Sequence, residues 1–279
     1  MFRGFYTVAS GMISQQRRTE MLTNNMANVN TPGFKAEQST IRSFPEMLMS
    51  SIEKTNIPTE KGLRFGNLRQ HGAISTGVYM QETVPLHEQG QLKMTELTTD
   101  VALEDRLLPI NENGERGTLL FRLDDGNGGE IYTRNGNLTV DVDGYLTAAS
   151  GHYILGTNGE RIRVQNDDFQ VDESGTIFVN GNELATISVA YTENPNEQLY
   201  KQEDGSFITV EDEALAEANA VDGIAYGIQQ GYVEGSTVDA SRTMTDMLSA
   251  YRAFEANQKV LQAYDRSMEK AVNEIGRLT

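Results

Sequence analysis

Residues able to do chemistry are few in this chain of 279, and their spacing does not favour it. The three histidines, His71, His87 and His152, stand far apart, and none falls in an HExxH or other metal-ligand spacing. Asp141-Val142-Asp143-Gly144 matches part of a calcium loop, but Thr139 replaces the first acid and Ser150 stands where the closing glutamate belongs. A turn ahead of Tyr145 already accounts for Asp143-Gly144. Gly126-Asn127-Gly128-Gly129 lacks both the GxGxxG spacing and the following helix that cradle a phosphate. Ser206, Ser236 and Ser241 have no histidine-based partner arrangement. Asp124-Asp125 and Glu211-Asp212-Glu213 set acids side by side, but a glycosidase needs two carboxylates across a shaped cleft, and charge runs are ordinarily solvated faces. Cysteine is absent, which excludes disulfides and thiolate metal sites. The expectation is no enzyme, no metal and no cofactor.

Composition narrows the partners. Hydrophobic residues at 38% and charged residues at 23% suit a folded chain of one large domain or two ordinary ones. A net charge of −17 argues against nucleic acid and against an anionic membrane surface, and no small-molecule substrate is expected. The charge is uneven: residues 1–35 carry Arg3, Arg17, Arg18 and Lys35 against Glu20 alone, while residues 193–217 carry eight acids against Lys201. No run approaches about 18 consecutive apolar residues, so no transmembrane helix is predicted. Arg3, Ser10 and Gln15 interrupt any signal-peptide core, so a chain that leaves the cytoplasm does so without a cleaved signal.

The elements follow from periodicity. Residues 4–29 carry a weak helical stripe of Phe5, Val8, Met12, Leu22, Met26 and Val29 that wants a partner helix. It ends at Asn24-Asn25-Met26-Ala27-Asn28-Val29-Asn30-Thr31-Pro32-Gly33-Phe34-Lys35. Here Pro32 cannot continue a helix, Asn30 and Gly33 both tolerate a left-handed turn, and Phe34 offers an apolar side chain past the break. Ser43 to Met49 reads as a short amphipathic, helical piece, and Lys61–Gly66 and His71–Gly77 read as glycine-rich loops. Residues 96–190 are short β-branched runs separated by Asn-Gly and Asp-Gly pairs, which predict hairpins of an antiparallel β-domain. Residues 192–222 are acidic and read mostly as surface loop, with a short solvated helix from Glu211. Ser236 or Asp239 then caps a helix running from Val238 to Arg277. Along it Met247, Phe254, Leu261, Met268 and Ile275 recur every seven residues, flanked by Met244, Tyr251 and Val272 on one side and Ala250, Tyr264, Ala271 and Leu278 on the other. Some ~60 Å of such helix is long for a globular core and points to a coiled bundle of the two chain ends or of several chains.

Ala9-Ser10-Gly11-Met12, with the stretch from Asn24 to Lys35, resembles the N-terminal signature of the bacterial flagellar rod and hook proteins. Gln230 to Asp239 resembles the family's motif ahead of its last helix, and Met247 to Leu261 resembles that helix. Tyr132-Thr133-Arg134-Asn135-Gly136 and Asp143 to Gly156 are similar to the β-domain of the distal rod (flagellar hook-basal body) members. Where many relatives have a GDGFF-like step, this chain has Glu104 to Ile110.

The resemblance implies an axial structural subunit of the flagellar basal body, exported through the flagellum's own type III apparatus and polymerising helically with itself and with other rod and hook proteins into a drive shaft for motility. A proximal rod or rod–hook paralogue is the alternative, and a β-rich glycan binder or cell-wall-directed hydrolase the remote one. Tyr132, Tyr145 and Tyr153 would then line the glycan site. The expected fold is α+β with a mainly β body. Residues 1–35 with 234–279 form a helical axial domain, 36–95 with 219–233 an extended connector, and 96–218 an outward antiparallel β-domain. Assembly is expected to rest on Asn25, Asn28, Thr31, Gly33 and Phe34, and on Met247, Phe254, Leu261, Met268 and Ile275.

Overall fold

The computed structural model describes residues 2–275 apart from 57–63, 112–113, 115, 127, 203 and 211–212. The fold is α+β with a mainly β body. Two long helices, Phe2–Ala27 and Ala240–Lys270, bracket a series of short strands, and a π-helical turn at Ala271–Ile275 follows the second. No described helix is long and apolar enough to cross a membrane. The chain divides into two compact units, residues 1–23, 39–83 and 241–279, and residues 24–38 and 84–240.

In the first unit Ile41–Ser43 pairs with Val78–Met80, and Met47–Asn56 with Arg64–Ile74, both antiparallel. The helical piece expected at Ser43–Met49 is therefore extended. Pro45 forces Phe44 out of helical geometry, and that local constraint outweighs the apolar spacing. The loops expected at Lys61–Gly66 and His71–Gly77 are, from Arg64 to Ile74, one strand; residues 61–63 lie outside the described residues. Gly72 has φ +132° beside the register shift at Met49/Ser50, so it marks a bulge, which explains a glycine inside a strand. Met21, Leu22, Met80 and Ala250 form the buried cluster of this unit, with Met247 against it.

The second unit is built on the strand Thr118–Asp124. It pairs with Glu130–Thr133 on one edge, and on the other with Val189–Thr192 and Tyr153–Ile154. Alternation sends Leu119, Phe121 and Leu123 to the main core and Leu120 to a second one with Tyr132, Ala190, Leu199 and Phe207. That second core explains a miss at the sequence level: the acidic stretch contributes the strands Leu199–Lys201 and Phe207–Thr209 to the same sheet, because Leu199 and Phe207 bury between the acids. Arg161–Val164, expected as a strand, makes only isolated bridges at Arg161 and Arg163.

The Asn-Gly pairs are not equivalent. Among the described residues Asn180-Gly181 alone has positive φ at both positions (52° and 78°), closing the two-residue hairpin between Thr176–Val179 and Asn182–Thr186. Asn135-Gly136 joins strands that are not neighbours in the sheet. Gly136 is there because a Cβ would fall on the Val101 carbonyl, whose own amide donates to the Gly136 oxygen at 2.9 Å. Gly136→Ala should therefore destabilise the β body by about 2–3 kcal/mol, read as tyrosine fluorescence in a guanidinium titration. A loss below about 0.5 kcal/mol would mean that the two backbones are not so close.

Candidate assembly site

The first helix stops where asparagines replace apolar residues. Asn25 is 4% exposed, and its amide donates to the Glu37 carbonyl at 2.8 Å while accepting from the Glu37 amide at 2.9 Å. The side chain thus pairs with the backbone as a strand residue would. Asn28 donates to the Asn24 carbonyl at 2.9 Å and accepts from the Thr31 hydroxyl at 3.2 Å, holding the turn through Pro32. Of the two residues expected to accept a left-handed turn, Gly33 takes it, at φ +70°, and Asn30 does not. A Cβ at Gly33 would stand 2.7 Å from the Arg134 carbonyl carbon and oxygen and the Asn135 nitrogen. Phe34 is buried, with Lys201 Nζ 4.1 Å from its ring centre. These five residues span the helix end and the turn after it, and the turn is tied directly to the far end of the chain. Gly33 N donates to the Glu234 carbonyl at 2.8 Å, Ala36 N to Thr237 Oγ1 at 2.8 Å, and Thr237 N to the Phe34 carbonyl at 3.1 Å.

Beneath this turn lies a buried charge cluster that the sequence reading missed. Glu234, 1% exposed, accepts from Lys35 Nζ at 2.6 Å and the Gly90 amide at 2.7 Å on one oxygen, and from Arg134 Nε at 2.5 Å on the other. Arg134 reaches the Leu119 carbonyl at 2.7 Å and Asp105 at 2.8 Å, and Lys35 also donates to the Glu88 carbonyl at 2.5 Å. Burial acts to raise the Glu234 carboxyl, but Arg134 and Lys35 outweigh it and hold it below its ordinary value. Two cations meet two anions, and taking one partner from such a set costs about 3–5 kcal/mol. The signal was legible in principle: Lys35, Arg134 and Glu234 are each the one charged residue within Thr31–Lys35, Tyr132–Gly136 and Gly231–Gly235. His87 lies beside them against Phe207, 5.7 Å between ring centres, with neither ring nitrogen hydrogen-bonded to protein. Burial first, then Lys35, Arg134 and Lys201, push it down to about 3.

The helical residues expected to support assembly lie within the first unit. Asn257 faces Gly11, Tyr264 faces Gly4, and Thr23 donates to Met247 Sδ at 3.8 Å. Residue numbers rise on one helix as they fall on the other, so the two run antiparallel. Met247, Phe254, Leu261 and Met268 are half-buried; at Ile275 only the backbone is described. Of the expected flanks, Ala250 is buried and Tyr264 and Ala271 half-buried, whereas Met244, Tyr251 and Val272 are exposed. Ser10 and Ser14 fix the first helix to Val78: Ser10 Oγ accepts the Val78 amide at 3.2 Å and Ser14 Oγ donates to its carbonyl at 3.2 Å. The last helix begins at Ala240, directly after Asp239. Ser236 accepts the Val238 amide at 3.3 Å ahead of it, and Arg277 and Leu278 lie outside the described residues.

Among the described residues no three histidines or acids gather as a metal set. Tyr132 is fully buried and donates to Glu130 at 2.7 Å, apart from Tyr145 and Tyr153, whose rings are 5.6 Å from each other under Arg163 and Arg161.

The β body is thus closed by segments from near both chain ends, and the two long helices pack antiparallel within their own unit. Three family descriptions match the chain: "Flagella basal body rod protein" over 5–35, "Flagellar hook protein FlgE/F/G D1 domain" over 116–179 and "Flagellar basal body rod FlgEFG protein C-terminal" over 229–274. The chain is 41% identical over 279 residues, all of both chains, to the flagellar hook-basal body complex protein FlhO of Bacillus subtilis. It is 26% identical to the flagellar basal-body rod protein FlgG of the same organism (98% of this chain, 99% of that one) and 28% identical to FlgG of Borreliella burgdorferi (98% of both). The chain belongs to the flagellar basal-body rod and hook protein family. Lys35, Arg134 and Glu234 fall one in each of the three matched stretches.

Two outcomes are expected at this site. Gly33→Ala should cost about 2–4 kcal/mol in chemical denaturation, and Gly33→Asn, which tolerates the angle but not the space, should cost as much; a mild Asn variant would mean that φ alone matters. For His87 the folded value near 3 lies below the unfolded value of about 6.5. The unfolded chain therefore binds the extra proton, and stability falls as pH drops from about 6.5 towards 3, by about 2 kcal/mol from this group at pH 5. His87→Leu should flatten that acid limb; an unchanged pH profile would remove His87 as its source.

Proposed function

We propose that the chain is a structural subunit of the flagellar basal-body rod, of distal or hook-basal-body type, that polymerises helically with copies of itself and meets other rod and hook proteins. It carries no catalytic role in this reading, reaches its place through the flagellar export apparatus and needs no cofactor. Residues 1–35 with 234–279 make the axial layer as a coiled bundle, 36–95 with 219–233 connect, and 96–218 face outward. A proximal rod or rod–hook position is the alternative.

The observation that carries the reading is what the helix pair leaves over. After the first and last helices have packed on each other, Tyr6 and Ile13 on the first and Met244, Leu248 and Tyr251 on the last are still 49–66% exposed. A helix face that stays apolar after its own chain is folded is suited to burial against other copies, and a contact that repeats head to tail without closing gives a filament.

The two faces separate in a test. Leu248→Asp and Tyr251→Asp should leave the monomer's circular dichroism and melting unchanged while abolishing assembly and swimming. Phe254→Asp and Leu261→Asp should abolish assembly and also loosen the helix pair, with the β body still folded. Normal swimming of all four variants would sink the axial assignment.

A further inference from the structure

The charge cluster joins three parts of the second unit that are remote in sequence: Lys35 and Glu234 are separated by 199 positions and Arg134 and Glu234 by 100. We infer that the Lys35–Glu234–Arg134 contact is a conditional lock, in which the segment 33–37 and the strand Tyr232–Glu234 become ordered on the β body together and neither does so alone.

The geometry carries this in three ways. Both Glu234 oxygens are engaged by protein, one by Lys35 and Gly90, the other by Arg134, and at 1% exposure a missing cation leaves a buried carboxylate short of its charge partner. Charge balance is the second. With Asp105 the cluster sums to zero, and withdrawal of the N-terminal segment leaves one cation against two buried anions. Third, the segment and the strand are tied to each other directly by Gly33–Glu234, Phe34–Thr237 and Ala36–Thr237, so moving either one strips hydrogen bonds from the other. Arg134 is the fixed member. It is 1% exposed, and it also donates to the Leu119 and Leu103 carbonyls and to Asp105, all on the body's own strands. It is thus in place before either end arrives, and each end meets a site that the other completes.

The test is hydrogen–deuterium exchange on the full-length protein, read at residues 33–37, at 231–237 and at the body strand Thr118–Asp124. Lys35→Met should speed exchange at least about a hundredfold in both end segments and leave Thr118–Asp124 protected. Adding Glu234→Gln to Lys35→Met restores the charge balance and should return protection to both segments, a rescue that a purely steric contact would not give. Thr237→Ala, which removes one hydrogen bond and no charge, serves if the lysine variant does not fold, and should speed exchange about fivefold in both segments. Faster exchange confined to one segment, or a double variant worse than Lys35→Met alone, would overturn the lock.

Discussion

Glu234 sits at 1% exposure, and a carboxylate so far from water is stable only while its two oxygens are met by donors and its charge by cations. Lys35 and Arg134 supply the charge, the Gly90 amide a further donor, and the main-chain geometry around them follows from that requirement. Gly33 takes a positive φ so that the chain can turn directly above Arg134, and Asn25 stands in for a strand partner so that the chain arrives there at all. A set of apolar side chains of the same volume would fill this space equally well. It would not, however, distinguish the right register from a slipped one, since apolar contacts are not directional.

The helices use a different means to the same end. Gly4 and Gly11 face Tyr264 and Asn257, so the first helix is thin where the last one is thick, and the two fit at a defined offset. Serine hydroxyls at Ser10 and Ser14 then fix the first helix to an extended backbone rather than to another apolar surface. Within each unit, position is set by polar or steric particularity, while the apolar residues supply the bulk of the driving force.

Much of this was legible from the amino-acid order, because it rests on local physics. The heptad of Met247, Phe254, Leu261 and Met268 names a half-buried stripe of the last helix, and Thr176–Val179 with Asn180-Gly181 names a hairpin to the residue. Periodicity did not tell which flank of the heptad packs: Met244 and Tyr251 are larger than Ala250, but they are exposed and Ala250 is buried. The extended backbone at Met47–Met49 was hidden because its pairing partner lies at Ala73, and the strands in the acidic stretch because their buried residues, Leu199 and Phe207, stand singly among polar ones. The charge cluster was the least legible. Each of its members is a single ordinary charge in its own neighbourhood, and what makes it a site is contact over 100 or more positions.

That separation has a bearing on time as well as on space. A chain emerging from a ribosome, or from any narrow passage that admits it only as an extended thread, presents its two ends at different moments. While Lys35 waits for Glu234, 199 positions away, the turn at Pro32 has nothing to close against, whichever end comes first. The molecule therefore keeps a record of its own completeness: a truncated or half-delivered copy, however well its middle strands have paired, lacks one half of the clasp and offers its neighbours a loose end.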